Sequence, residues 1–234
     1  MRQHNTHLFD GVALDIGANI GNHSLYFSDY FKKVYSFEPN PRTHKVLLIN
    51  AALASNIQCF EIGLSDVSKQ ALMDINPTNC GGATVTEVGS PQAQSIRLQT
   101  LDAFNAEHVQ LNREQIKLIK IDIEGHEYKA LCGAEQIIRK DRPVILFEQH
   151  PHDFEAGRSR VIDLLRSYGY QKFAAVETQP RPPHGLGAFL GKVYAITGAL
   201  LTGGTMSVVL KEKFNTGFYP FIIAIPDWVD ITGV

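Results

Sequence analysis

Val12-Ala13-Leu14-Asp15-Ile16-Gly17-Ala18-Asn19-Ile20-Gly21-Asn22-His23 is an apolar run that breaks into a glycine-bearing turn and then resumes as a helical pattern. It reads as strand, ligand loop, helix. Gly17 and Gly21 let the backbone turn tightly and approach a ligand, and the first N–H groups of the following helix are donors for an anionic group. The dinucleotide fingerprint G-x-G-x-x-G is not met, because Asn19 holds the middle glycine's place and a single residue separates it from Gly21. Asp15 argues further against pyrophosphate. A carboxylate at the mouth of the strand repels phosphates but suits a ligand that carries ammonium and sulfonium charges beside one carboxylate.

Working outward, Ile20, Ser24, Phe27 and Phe31 recur at helical spacing and predict a helix over 20–31. Val34 to Phe37 is a short strand closing on Glu38-Pro39. Proline cannot continue a central ladder, so Glu38 is left at the strand's C-terminal end, 17 residues after Gly21, near the interval at which an acid in such folds accepts ribose hydroxyls. Pro41 to Ala54 reads as a second helix and Ile57 to Ile62 as a third strand, followed by the turn Gly63-Leu64-Ser65-Asp66. Residues 67–100 predict a small hairpin excursion. Lys117 to Ile123 is a strand buried on both faces that discharges into Glu124-Gly125-His126-Glu127, and Leu131, Ala134 and Ile138 mark one helix after it. Pro143 to Phe147 is the fifth strand, ending in Glu148-Gln149-His150-Pro151-His152. A helix through Val161, Leu164, Leu165 and Tyr168 stops at Gly169, and Lys172 to Val176 and Phe221 to Ile225 are the sixth and seventh strands. Alternation of this kind predicts one α/β domain over 1–234: a doubly wound, seven-stranded, mostly parallel sheet with an antiparallel last strand, its ligands beyond the C-terminal strand ends.

Four ordered stretches resemble the FkbM-type family of class I S-adenosylmethionine-dependent methyltransferases: Asp15-Ile-Gly17-Ala-Asn19-Ile-Gly21, Val34-Tyr-Ser-Phe-Glu38-Pro39-Asn-Pro41, Gly63-Leu-Ser65-Asp66 and Ile119-Lys120-Ile-Asp122-Ile-Glu124-Gly125-His126-Glu127. They span roughly residues 12 to 150. The resemblance implies a Rossmann-like methyltransferase fold and S-adenosylmethionine as cofactor, bound through Asp15, Gly17, Asn19, Gly21, Glu38, Asp66 and Asp122. Glu38 would grip the ribose and the turn at Asp66 would lie along the adenine. It also implies an acceptor oxygen on a sugar, glycolipid or related small molecule. An oxidoreductase using a nicotinamide dinucleotide would share strand, loop and ribose acid but carry the third glycine. A non-catalytic nucleotide-binding module would keep the loop without convergent groups at Glu124 and His126.

Those two residues are the candidate catalytic pair. Both follow the strand beside the donor loop, so Glu124 is expected as base or hydroxyl acceptor and His126 as the second candidate, losing rate below about pH 6.5 if it acts. Either could instead cap the helix opening at Glu127. Asp122, Glu124, His126 and Glu127, with Glu148, His150 and His152, invite a metal reading, but their order matches no recognisable ligand spacing and no metal is assigned. His150 and His152 are expected to line the acceptor pocket or cap a helix.

A net charge of −2 gives no basic face for nucleic acid. Cys59, Cys80 and Cys132 are odd in number and lack metal spacing, which opposes a disulfide framework. The polar opening Met1 to His7 offers no apolar signal region, so a cytoplasmic location is expected. Val193 to Leu210 is an uncharged run of 18 residues, borderline for a bilayer span. The seventh strand's expected insertion beside the fifth keeps both ends of the run on one side, leaving two readings. The insertion near 179–216 is an apolar lid, or residues 186–210, flanked by Arg181, Lys192, Lys211 and Lys213, touch the inner face of a membrane.

Overall fold

The computed structural model describes residues 8–74, 84–86, 93–108, 111, 113–179 and 205–230. β1 (Val12–Ile16) is buried at every position and leads through the loop into α1 (Asn22–Ser28), shorter at both ends than the periodicity suggested. β2 (Lys33–Phe37) and α2 (Pro41–Ala51) follow. Asn40 caps α2 by accepting from the Arg42 amide at 3.0 Å, with Pro41 at the first helical position. β3 (Ile57–Phe60) completes the first half of the sheet.

The chain then leaves the sheet. β4 (Gly63–Leu64), β5 (Lys69–Asp74), β6 (Thr84–Thr86) and β7 (Gln94–Gln99) form a separate four-stranded sheet in the order β4-β7-β5-β6. α3 (Leu101–Glu107), capped by Thr100, brings the chain back toward β8 (Ile116–Ile121). The single helix expected after β8 is two, α4 (Glu127–Cys132) and α5 (Glu135–Asp141). The break falls at Gly133, where an added Cβ would stand 1.9 Å from the Ser65 carbonyl oxygen. The close approach of the Ser65 backbone interrupts the helix and demands glycine.

β9 (Val144–Gln149) precedes the two-residue strands β10 (Phe154–Glu155) and β11 (Arg158–Ser159), which pair as a hairpin, and α6 (Arg160–Ser167), whose N-terminus is capped by the Ser159 hydroxyl. β12 (Lys172–Gln179), β13 (Thr205–Leu210) and β14 (Tyr219–Ile225) end the chain's regular structure. The main sheet runs β13-β12-β14-β9-β8-β1-β2-β3. β9, β8, β1, β2 and β3 are mutually parallel, and β14 inserts antiparallel between β9 and β12, as the expected place of the last strand required.

The sheet therefore has eight strands where the sequence suggested seven. The additional one is β13, which pairs antiparallel with β12 along Ala174–Gln179. It arises from the tail of the uncharged run, so residues 205–210 form a sheet edge. The β-branched Thr205, Val208 and Val209 suit a strand. The rest of the anticipated lid or membrane contact, 180–204, lies outside the described residues. Among the described residues no helix is long and apolar enough to cross a membrane.

Alternate residues of each central strand feed two apolar layers. Leu14, Tyr35, Phe37, Ile119 and Phe147 pack on one face with Phe104 and Leu165, while Ala13, Val34, Leu118 and Leu146 pack on the other with Phe27 and Phe31. The parallel strands' C-terminal ends fall together on one edge, where β1, β2 and β8 release the loop, Glu38 and Asp122–Glu127.

Candidate functional site

The loop after β1 is fixed from three sides. Gly17 and Ala18 both donate their amides to the Phe37 carbonyl at 3.0 Å, pinning the loop to the end of β2. Gly17 adopts φ 73°, and an added Cβ there would lie 1.9 Å from the Asp122 carbonyl oxygen, so the loop also lies against the end of β8. From below it is held by Lys120. This residue is 1% exposed, and its Nζ donates to the Gly17 carbonyl at 2.9 Å, lies 3.1 Å from Asp15 Oδ1 and 3.7 Å from Asp122 Oδ2.

Asp15 does not reach the ligand side of the loop. Its carboxylate has no exposed surface, and register places it between Ser36 on β2 and Lys120 on β8. Ser24 donates to its Oδ2 at 2.6 Å and Ser36 donates to Ser24 at 2.8 Å. Burial pushes the Asp15 carboxyl up, but Lys120, His23 and the Ser24 hydroxyl outweigh that and hold it below the ordinary carboxylate value. Lys120 is correspondingly held above the ordinary lysine value, burial opposing and Asp15 and Asp122 prevailing. The expected direct contact of Asp15 with a cationic ligand is thus corrected to a buried ion pair that sets the loop. Gly21 is corrected too. It ends the loop at φ 91° and packs where a Cβ would meet Leu47 of α2 at 2.7 Å, outside the cavity.

The cavity opens between the loop, the end of β2 and the small sheet. Gly17, Asn19, Glu38, Asp122, Glu124 and His126, of the nine residues singled out in the sequence, line it. Glu38 is 8% exposed, and each of its oxygens accepts one backbone N–H at 2.9 Å, Oε2 from Asn19 and Oε1 from Asn40. Burial pushes its carboxyl up against those two hydrogen bonds. Asn19 takes up a left-handed conformation, φ 50°, and its side-chain Oδ1 is buried without a hydrogen-bond partner. The opposite wall is apolar, made by Pro39, Leu64, Met73 and Leu98. Asp66 is exposed, accepts from Ser65 Oγ at 2.9 Å and does not line the cavity, so the wall that was expected of it falls to Gly63 and Leu64.

On the β8 side, Glu124 and Gly125 are successive left-handed residues, φ 53° and 87°, in a turn fixed by Glu127, whose Oε1 accepts the Ile123 amide at 3.0 Å. Neither Glu124 nor His126 makes a side-chain cap on α4. His126 Nε2 lies 2.9 Å from Ser65 Oγ, and burial, reinforced by Lys129, pushes its imidazole down to about 4. The pH window expected for it near 6.5 moves down accordingly, and an imidazole of that basicity is a poor proton acceptor at neutral pH. Sequence reasoning missed Lys120. The available signal was a lysine in a strand otherwise buried on both faces, at the register position of Asp15.

The methyltransferase FkbM domain profile matches residues 15–172. The chain belongs to the FkbM methyltransferase family. Among its relatives, the hexuronic acid methyltransferase AglP of Haloferax volcanii is 30% identical over 141 residues, 58% of this chain and 55% of AglP. The 2-O-methyltransferase NoeI of Sinorhizobium fredii is 24% identical over 181 residues, 68% of this chain and 72% of NoeI. The crystal structure of the FkbM methyltransferase from Methylobacillus flagellatus is 19% identical and covers 75% of this chain and 41% of its own, with a TM-score of 0.45. The chain spans about half the length of AglP and 10% of the AMB antimetabolite synthetase AmbE of Pseudomonas aeruginosa, to which it is 28% identical. FkbM membership sets aside the dinucleotide oxidoreductase reading. S-adenosylmethionine is the cofactor it implies, and the residues present fit that group. An unpartnered Asn19 oxygen, a buried carboxylate with lone pairs to spare and an apolar wall suit a nucleoside bearing hydroxyls and an ammonium.

Two outcomes follow from this geometry. Lys120→Met leaves the Asp15 charge buried and unpaired and is expected to cost about 3–5 kcal/mol in urea denaturation, with Asp15→Asn in the same chain recovering part of it. Additive losses would remove the pair from the account. Burial pushes the Glu127 carboxyl from its ordinary 4.5 up to about 7, with Asp153 and Asp122 adding to the rise. Between these values the unfolded chain sheds a proton that the folded chain keeps, so stability falls as pH rises from 4.5 to about 7 and then levels. Glu127→Gln keeps an acceptor oxygen and should flatten that slope in melting temperature measured against pH. An unchanged slope would exonerate Glu127.

Proposed function

We propose that this chain transfers the methyl group of S-adenosylmethionine to a hydroxyl oxygen of a sugar or related glycan acceptor. The observation that carries the donor half is Glu38, buried at the end of β2 with one N–H on each oxygen and the remaining lone pairs available to ribose hydroxyls. The acceptor half is supported by the relatives AglP and NoeI, named for hexuronic acid and 2-O-methylation.

When bound, the cofactor supplies an electrophilic methyl on a sulfonium. Glu38 and Asn19 hold the donor's polar groups, while Leu64, Met73 and Leu98 exclude water from its apolar face. Gly17 and Asp122 line the cavity between the two. Glu124, exposed on the acceptor side of the same cavity, accepts the acceptor's hydroxyl proton or fixes its direction. His126, tied to Ser65, shapes the wall. Methyl transfer asks chiefly for alignment, and positioning alone is worth about 7–11 kcal/mol.

S-adenosylhomocysteine is expected to raise the melting temperature, and NAD to leave it unchanged. Glu38→Ala should weaken S-adenosylhomocysteine binding by about 1–3 kcal/mol in calorimetric titration, and because it also strands the Asn19 and Asn40 amides it should lower the melting point of the unliganded protein. A melting curve that saturating S-adenosylhomocysteine does not move overturns the donor assignment, and an unaltered dissociation constant in the variant removes Glu38 from it.

A further inference from the structure

One group of side chains at the edge of the cavity shares only Glu124 with this reading. β8 and β9 are neighbouring parallel strands, so their C-terminal ends deliver Glu124 from one and Glu148 with His150 from the other to the same place. A ligand atom of each of the three lies within 4.8 Å of the other two. His150 Nε2 stands 3.2 Å from Glu148 Oε2, yet this nitrogen is buried and makes no hydrogen bond, so the ring directs it at the carboxylate without the alignment that N–H donation takes.

The arrangement is set from behind. Asp153 accepts the His150 amide at 2.6 Å, and the His150 ring stacks against His152 and leans on Phe218, with centroids 5.2 and 5.1 Å away. The left-handed pair Glu124 and Gly125 turns the chain where Glu124 leaves β8. Two carboxylates this close repel each other. Lys120, the buried cation nearest in sequence to Glu124, is committed to Gly17, Asp15 and Asp122. Two carboxylate oxygens and an imidazole nitrogen form a mixed donor set that suits a hard to borderline divalent cation and leaves half of an octahedral shell open.

We propose that Glu124, Glu148 and His150 bind one divalent cation of the Mg²⁺ or Mn²⁺ class beside the donor cavity, with its open positions facing the acceptor side for water or acceptor hydroxyls. The cation site rests on the three side chains alone. Its use in holding an acceptor hydroxyl rests on the methyl-transfer reading.

The test uses the whole chain, stripped with EDTA and titrated with MnCl₂, unbound Mn²⁺ being read from its paramagnetic resonance signal with and without S-adenosylhomocysteine. One Mn²⁺ per chain should bind with a dissociation constant below about 1 mM, competed by excess Mg²⁺. Glu148→Gln and His150→Ala should each weaken it about tenfold or more. Glu124→Gln, at an exposed position whose loss does not threaten folding, should do the same, and Glu135→Gln on α5 should leave it unchanged. No binding by the wild-type chain below about 1 mM overturns the proposal, as does Mn²⁺ binding that survives all three ligand substitutions. Mn²⁺ binding with the expected variant pattern, in a protein that ignores S-adenosylhomocysteine, upholds the cation site and fells the methyl-transfer reading instead.

Discussion

The site depends first on one buried ammonium. Lys120 brings a full positive charge into the sheet beneath the loop and is tied there by the Gly17 carbonyl, the Asp15 carboxylate and, more distantly, Asp122. Each of these belongs to a different part of the site: the turn of the loop, the strand beneath it and the neighbouring strand's end. An isolated charge this deep would cost several kcal/mol, so the three partners are obliged to stay within reach of one nitrogen. The pair is poor evidence for extra stability, since apolar residues of the same volume could serve as well. Its value is geometric. It fixes how far the loop after β1 stands from the end of β8, and Gly17 completes the fit by having no Cβ to strike the Asp122 carbonyl.

The same edge concentrates strained backbone. Gly17, Asn19, Gly21, Glu124 and Gly125 all have positive φ, and all lie within a few residues of the ends of β1 and β8. For the non-glycine members this costs of order 1–3 kcal/mol each. The compensation is local for both. Asn19 is held by its amide's bond to Glu38, and the turn that carries Glu124 is closed by Glu127 accepting from Ile123. Recognition groups and backbone strain thus stabilise one another. Glu38 is positioned by the loop whose conformation it secures, so the loop and this carboxylate behave as one unit.

Much of this was legible in the sequence because it is local. The strand, loop and helix at 12–23, the proline that ends β2 at Glu38, and the double-faced apolar strand before Glu124 all follow from spacing and residue type within a dozen positions. Even the place of β14 between β9 and β12 followed from topology. What escaped is what depends on contacts between distant segments. The helix break at Gly133 is imposed by the Ser65 backbone, and a glycine inside a helical pattern does not announce its neighbour. β13 is the tail of an uncharged run whose composition suits lid, membrane surface and edge strand alike. Asp15 looked like a ligand group because strand ends in this fold face ligands, and only the register with Lys120 and the helix above it turns its carboxylate inward.

The two sides of the cavity differ in kind, and the difference bears on what each can recognise. At the end of β2, Glu38 is buried, its oxygens are pre-set by backbone donors and its wall is apolar, so a hydrogen bond made there is sheltered from water and its geometry is fixed in advance. At the end of β8, Glu124 is exposed in a turn, and Glu148 at the end of β9 and His150 just beyond it are its neighbours. A hydrogen bond in that setting competes with solvent, and one side chain discriminates weakly between hydroxyls. Selectivity for an acceptor then needs several groups acting on the same atoms. The ends of β8 and β9 are where this chain brings such groups together: parallel pairing sets Glu124 beside Glu148, and the turn after β9 folds His150 back onto both. The β2 side offers selectivity through burial, whereas the β8 and β9 side offers it through convergence.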